Sequence, residues 1–88
     1  MHLRPQLCSK LQSCHSIQAA LNCITEALTE CGIDSPHLEA RLLVQHCTGL
    51  SHERLLSSLQ DAPDRQALLQ MCSLTERRLA GEPIQYVL

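Results

Sequence analysis

The chain has 88 residues, 44% of them hydrophobic, with a single aromatic residue and a formal net charge of −2. This length is enough for one small domain, which buries roughly 60–65% of the surface that its unfolded chain exposes. The lack of a basic excess argues against nucleic acid as a partner, because a phosphate backbone requires Lys and Arg to neutralise it. The absence of an apolar run approaching the ~20 residues of a membrane span argues against membrane insertion.

Residues 1–15 are predicted to be an N-terminal extension, either disordered or a short helix. Leu3, Leu7 and Leu11 share one helical face. The stretch lacks the apolar segment and the cleavage site of a secretory signal peptide. Its basic residues are too few to favour an organelle transit peptide. We therefore expect a cytoplasmic protein, with a mitochondrion or another organelle as the alternative.

The segment SIQAALNCITEALTECG, Ser16 to Gly32, has the strongest periodicity in the chain. Ser16 is a favoured residue for capping the start of a helix, and Gly32 can adopt the left-handed conformation that ends one. Apolar residues at alternating spacings of four and three form a single helical stripe. The predicted inner face consists of Ile17, Leu21, Ile24, Leu28 and Cys31.

Two further helices are predicted before residue 60. The first has Ser35 as its N-cap, Pro36 at its first position, where the missing N–H costs nothing, and Gly49 at its end. The second is short and is capped by Ser51. Their predicted inward residues are Leu38, Leu42, Leu43 and Cys47 on the first, and Leu55, Leu56 and Leu59 on the second.

The last long helix is predicted to open at Pro63 and to end before Gly81. Asp64 in its first turn and Arg77 and Arg78 in its last complement the helix dipole. Pro83 then begins a short helix or turn that carries the apolar residues Ile84, Tyr86, Val87 and Leu88.

No stretch of alternating apolar residues predicts a strand. The fold class is therefore predicted to be all-α, a small antiparallel bundle of four to five helices joined by short loops. Because no Phe or Trp is present, its core is expected to be aliphatic.

The six cysteines and five histidines raise the question of a metal site. Structural zinc sites usually have paired cysteines three to five positions apart, whereas Cys8 and Cys14, the nearest pair in this sequence, are six positions apart. No metal site and no catalytic cysteine is therefore predicted, and all cysteines are expected to be reduced, mostly as small core residues. The cysteines are Cys8, Cys14, Cys23, Cys31, Cys47 and Cys72.

The three glycines are isolated from one another, so no phosphate-binding loop is present in the sequence. The helix, turn and helix around Gly49 have the outline of a DNA-binding motif. Its second helix would present His52, Glu53 and Arg54 to the bases, and an acid in that position is unfavourable. DNA binding is therefore not predicted.

Two stretches together resemble one protein family. GIDSPHLEARLLVQHCTGLS, Gly32 to Ser51, is similar to a segment of the HemK/PrmC family, which methylates peptide chain release factors on the N5 atom of a glutamine. RRLAGEPIQYVL, Arg77 to Leu88, resembles the segment that ends the helical N-terminal domain of that family. The resemblance covers Ser16 to Leu88, and the residues before Ser16 have no counterpart.

The resemblance implies a substrate-docking domain comprising residues 16–88, ending at a linker to a methyltransferase domain that is not part of this chain. The parent protein would use S-adenosylmethionine to methylate the glutamine in the Gly-Gly-Gln motif of a release factor. None of the family's catalytic or cofactor-binding residues has a position here. The implied partners are the release factor and the chain's own C-terminal methyltransferase domain, and the fragment alone is expected to be inactive and to hold no cofactor.

Two sets of residues are candidates for these contacts. The residues expected to touch the release factor are polar and flank the predicted loops: Asp34, His37, Arg41, His52 and Arg54. The residues expected to form an interdomain hinge or contact are Gly81, Glu82, Pro83 and Tyr86. The alternative function is a free-standing helical interaction module that binds a partner helix in a leucine-lined groove and has no enzyme attached.

Overall fold

The computed structural model describes residues 5–88, and within that range the chain forms six helices and no strand. None of these helices is both long enough and apolar enough to cross a membrane. The predicted all-α bundle is confirmed, with one more helix than the upper prediction. The helices are α1 (Pro5–Gln12), α2 (Ile17–Glu30), α3 (Pro36–Thr48), α4 (His52–Ser57), α5 (Arg65–Leu79) and α6 (Ile84–Val87).

The N-terminal helix α1 packs against α5 and α2. Leu7 and Leu11, one helical turn apart, are both buried in the main core, as their shared face predicted. Leu3 lies outside the described residues. Within residues 1–15, the described stretch Pro5–Gln12 is a short helix, and this helix contributes to the common core.

Helix α2 begins and ends as the sequence predicts. The Ser16 hydroxyl accepts a hydrogen bond from the Ala19 amide at 3.1 Å, and Gly32 is left-handed with φ of 77°. The amide of Ile33 donates to the carbonyl of Leu28, which closes the helix in a Schellman motif. The predicted inner stripe needs one correction, because Cys31 is the C-cap and is exposed.

The start of α2 is also tied to the loop between α4 and α5. The amide of Ile17 donates to the carbonyl of Asp61, and the amide of Gln18 donates to the carbonyl of Leu59, both at 2.9 Å. These donors belong to the first turn of the helix, whose amides have no partner within it. A distant loop therefore completes the cap that Ser16 begins.

Helix α3 has Pro36 at its first position and Gly49, with φ of 72°, at its end, as predicted. Its inner face, however, is rotated from the predicted one. Leu38 is 45% exposed, because the side of α3 that packs against the other helices is formed by a different row of residues, next to the row that contains Leu38. The packed row consists of Ala40, Leu43 and Val44, with Leu42 and Cys47 half-buried beside it.

The short helix α4 is capped by Ser51, whose hydroxyl accepts from the Arg54 amide at 3.2 Å. Leu55 is buried and Leu59 is half-buried, but Leu56 is exposed. The prediction that Leu56 faces inward is therefore wrong. A helix of six residues offers the core only about one side chain per turn, and here Leu55 takes that place.

Helix α5 begins later than predicted. Its first residue is Arg65 and Asp64 is its N-cap, so Pro63 precedes the helix instead of opening it. The backbone of Asp64 is extended, with ψ of 142°, which is the geometry expected of an N-cap. The helix supplies much of the core through Ala67, Leu68, Met71, Cys72, Leu74 and Thr75.

Cys8 on α1 and Cys72 on α5 are joined by a disulfide. The prediction that all cysteines are reduced is therefore wrong for this pair. The two residues are 64 positions apart in the sequence, and only the packing of α1 against α5 brings them together. Cys14, Cys23 and Cys47 are outside the disulfide.

Candidate functional site

The segment that follows α5 is held in a defined turn by backbone geometry. Gly81 is left-handed with φ of 110°. Its amide donates to the carbonyl of Arg78, and the amide of Glu82 donates to the carbonyl of Arg77. This pair of bonds is a Schellman motif. It returns the chain so that the side chain of Glu82 lies beside that of Arg77.

Arg77 binds the carboxylate of Glu82 through two parallel hydrogen bonds from its guanidinium. Nε donates to Oε2 at 3.0 Å and Nη2 donates to Oε1 at 2.8 Å. Nη2 also donates to the carbonyl of Tyr86 at 3.3 Å. The hydrogen bonds from Arg77 lower the pKa of Glu82, and the same bonds raise the pKa of Arg77. The pair is therefore fully charged at neutral pH and spans the turn to α6.

Arg78 makes a second, less exposed ion pair with α3. Its Nε donates to Oε1 of Glu39 at 2.7 Å, and the two side chains are only 19% and 13% exposed. Its Nη1 donates to the carbonyl of Glu82 at 3.2 Å. The bonds to Glu39 raise the pKa of Arg78. One guanidinium thus connects α3, the end of α5 and the turn that follows.

The roles of Glu39, Arg77 and Arg78 were missed in the sequence. The arginines were interpreted only as partners of the helix dipole, which they also are, since both lie in the last turn of α5. Glu39 is 39 positions from Arg78, so no local pattern pairs them. The sequence offered one indication that these residues matter. Glu39 lies in the first segment that resembles the family, and Arg77 and Arg78 lie in the second.

The apolar residues of the C-terminal segment divide into two groups. Val87 is buried and Ile84 is half-buried against the core. Tyr86 is 72% exposed and Leu88 is 41% exposed. We call Tyr86 and Leu88 the terminal apolar pair. The segment therefore both packs against the bundle and exposes apolar side chains.

The five predicted partner-binding residues do not form one cluster. Asp34 and His37 are exposed at the beginning of α3, and His52 and Arg54 are exposed on α4, which follows the end of α3. Since α3 has 13 residues, about 18–20 Å of helix separates the two groups. Arg41 is half-buried between them.

Arg54 lines a shallow groove formed by the end of α3, by α4 and by the loop before α5. The groove has a volume of about 390 Å³. Its lining includes apolar side chains from Ile17, Leu50 and Ala67. Two carboxylates, those of Asp61 and Asp64, lie on the same lining as Arg54. The residues that line the groove therefore include apolar ones and charged ones of both signs.

Cysteine chemistry is not favoured by the surroundings of the three half-buried thiols outside the disulfide. Burial raises the pKa of Cys23 and of Cys47 to about 11, and it also raises the pKa of Cys14. Only the thiolate is a strong nucleophile. These thiols are therefore protonated at neutral pH and are poorly suited to catalysis.

Comparison with known proteins gives a consistent result. The family described as the PrmC N-terminal domain matches residues 19–88. A bifunctional methyltransferase of Rickettsia typhi is 40% identical over 73 residues, and the release factor glutamine methyltransferases of Vibrio cholerae and Aliivibrio fischeri are 37% and 38% identical over 73 and 72 residues.

The matched regions cover 82–83% of this chain but only 14%, 26% and 25% of those three proteins, respectively. The chain thus spans between about a seventh and a quarter of the length of its relatives. No solved structure matches it significantly.

Proposed function

Because the chain belongs to the PrmC N-terminal domain family, we propose that it is the substrate-docking domain of a protein methyltransferase. The observation that carries the proposal is the family match over residues 19–88, together with relatives named release factor glutamine methyltransferases. The proposed reaction of the whole enzyme transfers a methyl group from S-adenosylmethionine to the N5 atom of the glutamine in a release factor's Gly-Gly-Gln motif. The proposed location is the cytoplasm or, alternatively, an organelle.

The proposed contribution of this domain is positioning. Binding energy gained far from the reacting atoms can orient a side chain for transfer. Residues 5–88 contain no strand, and the three glycines follow three different helices. They do not fit the Gly-rich strand–helix turn that holds S-adenosylmethionine in the family, so we propose that the cofactor binds in another domain of the parent enzyme.

The proposed interdomain contact is the terminal apolar pair with the turn before it. Gly81 and Pro83 set the direction of the chain, and Glu82 fixes the turn through its bonds to Arg77. An exposed tyrosine and an exposed leucine two residues apart in the sequence are typical of a surface that another protein surface covers. This arrangement supports a contact in which the turn is the rigid support and Tyr86 is the anchor.

The proposed release-factor contacts are the five polar residues predicted from the sequence. Their division into two groups supports an extended contact along α3, with Asp34 and His37 at one end and His52 and Arg54 at the other. Arg41 lies between the groups, and its side chain is half-buried. A release factor reached at both ends of α3 would be oriented as well as bound.

A chimera tests the proposal. In the release factor glutamine methyltransferase of Vibrio cholerae, the 73-residue matched segment is replaced by the corresponding segment of this chain. We expect the chimera to methylate a release factor. A version without this segment should lose on the order of 10- to 100-fold in kcat/KM, because the glutamine is no longer positioned. Full activity without the segment would contradict substrate docking.

Tyr86→Ala in the same chimera tests the interdomain contact, with Gln85→Ala as the matched control on the same exposed turn. We expect Tyr86→Ala to lower kcat/KM by about tenfold, as for truncation of an aromatic anchor at an interface. It should leave the melting temperature of the 88-residue chain unchanged, because Tyr86 is exposed there. Equal activities of the two variants would contradict the contact.

The groove beside Arg54 favours the second candidate function, a free-standing module that binds a partner helix. Its lining of apolar residues and of charged residues of both signs suits an amphipathic helix. The chimera distinguishes the two functions, since a domain unrelated to methyl transfer would not restore the activity that deletion removes.

A further inference from the structure

Three potential metal ligands meet where α1 packs against α5. Cys8 on α1 and Cys72 on α5 have Cα atoms 5.4 Å apart. Glu76 lies one turn beyond Cys72 on the same face of α5, since residues four apart are neighbours on a helix. The two sulfurs and a carboxylate oxygen of Glu76 all lie within 4.8 Å of one another.

This donor set suits a thiophilic divalent cation. Zinc binds cysteine sulfur at about 2.3 Å and carboxylate oxygen at about 2.0–2.2 Å, usually with tetrahedral geometry. Three atoms within 4.8 Å of one another can surround one such ion once the two sulfurs are no longer bonded. Three protein ligands leave a fourth position for water.

The surroundings hold these ligands in place. Cys72 is buried, while Cys8 and Glu76 are half-buried, so the cluster is anchored on one side and accessible on the other. α1 is fixed by the buried side chains of Leu7 and Leu11. The ligands would therefore stay near one another after the disulfide opens, which lowers the entropic cost of binding an ion.

We propose that Cys8, Cys72 and Glu76 form a redox-dependent metal site. When the pair is reduced the site binds Zn²⁺ or a similar cation, and the disulfide is the oxidised, metal-free state of the same residues. A dithiol reductant opens the disulfide by supplying two electrons and two protons, and it becomes a disulfide itself. The cation then displaces the two thiol protons to water and forms two metal–sulfur bonds.

The site does not depend on the proposed function. Cys8 precedes residue 19, where the family match begins, so the complete ligand set is not a property of the matched domain. The sequence pattern argued against zinc because it considers ligands that are close in the chain. Here one ligand is 64 positions from the next, and only the packing of α1 reveals the cluster.

Cobalt binding to the 88-residue chain tests the proposal. The chain is reduced with a phosphine under anaerobic conditions and titrated with Co²⁺, whose thiolate charge-transfer absorption reports sulfur ligation. We expect one equivalent to bind and Zn²⁺ to displace it. The oxidised chain, identified by a mass two hydrogens lower, should bind none. Failure of the reduced chain to bind Co²⁺ would overturn the proposal.

Variants assign the ligands. Cys8→Ser and Cys72→Ser should abolish the charge-transfer band. Glu76→Gln, which keeps both cysteines and tests the site if a serine variant fails to fold, should weaken binding by at least about tenfold, since even outer-shell partners of a metal contribute about 10- to 100-fold. Cys14→Ser, at another half-buried cysteine, should bind as the unmodified chain does. An unchanged band in Cys8→Ser, or its loss in Cys14→Ser, would contradict the assignment.

Discussion

At the scale of single residues, the buried hydroxyl of Thr75 is the side-chain group in the core that most clearly lowers the stability of the fold. The residue is fully buried on α5, and its Oγ1 has no hydrogen-bond partner among residues 5–88. A buried polar atom without a partner keeps its desolvation cost of about 1–3 kcal/mol. Replacement by an apolar group of the same shape removes that cost. Because the Thr75 hydroxyl bonds to no other group among the described residues, the replacement leaves no other polar atom unpaired.

We therefore expect Thr75→Val to raise the free energy of unfolding by about 1 kcal/mol, measured by urea denaturation. Thr48→Val is the matched control, because the Thr48 hydroxyl donates to the carbonyl of Val44 at 2.8 Å. That variant loses a hydrogen bond and should not be stabilised. Equal effects of the two substitutions would show that the Thr75 hydroxyl is satisfied in solution.

At the scale of elements, the turn between α5 and α6 should respond to acid. The bonds from Arg77 hold the pKa of Glu82 below its usual value. A lowered pKa in the folded state means that the stabilisation is present above the unfolded pKa. It is lost as the pH falls through the folded pKa. Since Arg77 stays protonated throughout this range, the carboxylate alone sets the transition.

We expect the amide signal of Tyr86, whose carbonyl accepts from Arg77, to shift in an NMR titration from neutral into acidic pH, together with the side-chain carboxyl of Glu82. Glu82→Gln has a similar shape but no titrating group, so it should remove this transition. If the amide shift persists in Glu82→Gln, the turn does not depend on the ion pair.

Apart from the start of α5, the helix ends were the most predictable features of the fold. Ser16, Pro36, Ser51 and the three helix-ending glycines all lie where their local chemistry predicted, because capping depends on a few neighbouring residues. Inner faces were less predictable. Leu38 and Leu56 belong to helices with more leucines than one packed face can use, and the choice among them depends on which neighbouring helix each approaches.

The candidate site shows the same division. Gly81 and Pro83 were predictable as residues that end one helix and begin the next, and Tyr86 was predictable as part of an apolar segment. The ion pair of Glu39 with Arg78 was not, since it joins residues 39 positions apart whose proximity depends on how α3 packs against α5. Ion pairs between residues far apart in the chain leave no periodic pattern in the sequence from which they could be predicted.

At the scale of the whole molecule, α1 is part of the bundle's core. Leu11 is completely buried and belongs to the same cluster as the cores of α2, α3 and α5. Although the family match begins at residue 19, the structure contains no separate unit before it in the described range. The stability of the matched domain should therefore depend on residues outside the match.

We expect Leu11→Ala to lower the free energy of unfolding by about 2–4 kcal/mol, the usual range for deleting a buried leucine. Gln12→Ala, on the exposed side of the same helix, should change it by less than about 0.5 kcal/mol. Thermal denaturation of both variants under identical redox conditions measures the difference. A similar stability for both would show that α1 packs only loosely.

The guanidinium of Arg78 also fixes the direction of the chain after α5. It connects Glu39 on α3 with the backbone of Glu82, so two helices fix the direction in which the chain enters α6. If the methyltransferase domain proposed above follows α6, this fixed direction would confine it to a small volume and raise its effective concentration at the bundle surface. Arg77 and Arg78, the two basic residues in the last turn of α5, would then keep the linker to that domain in a fixed direction.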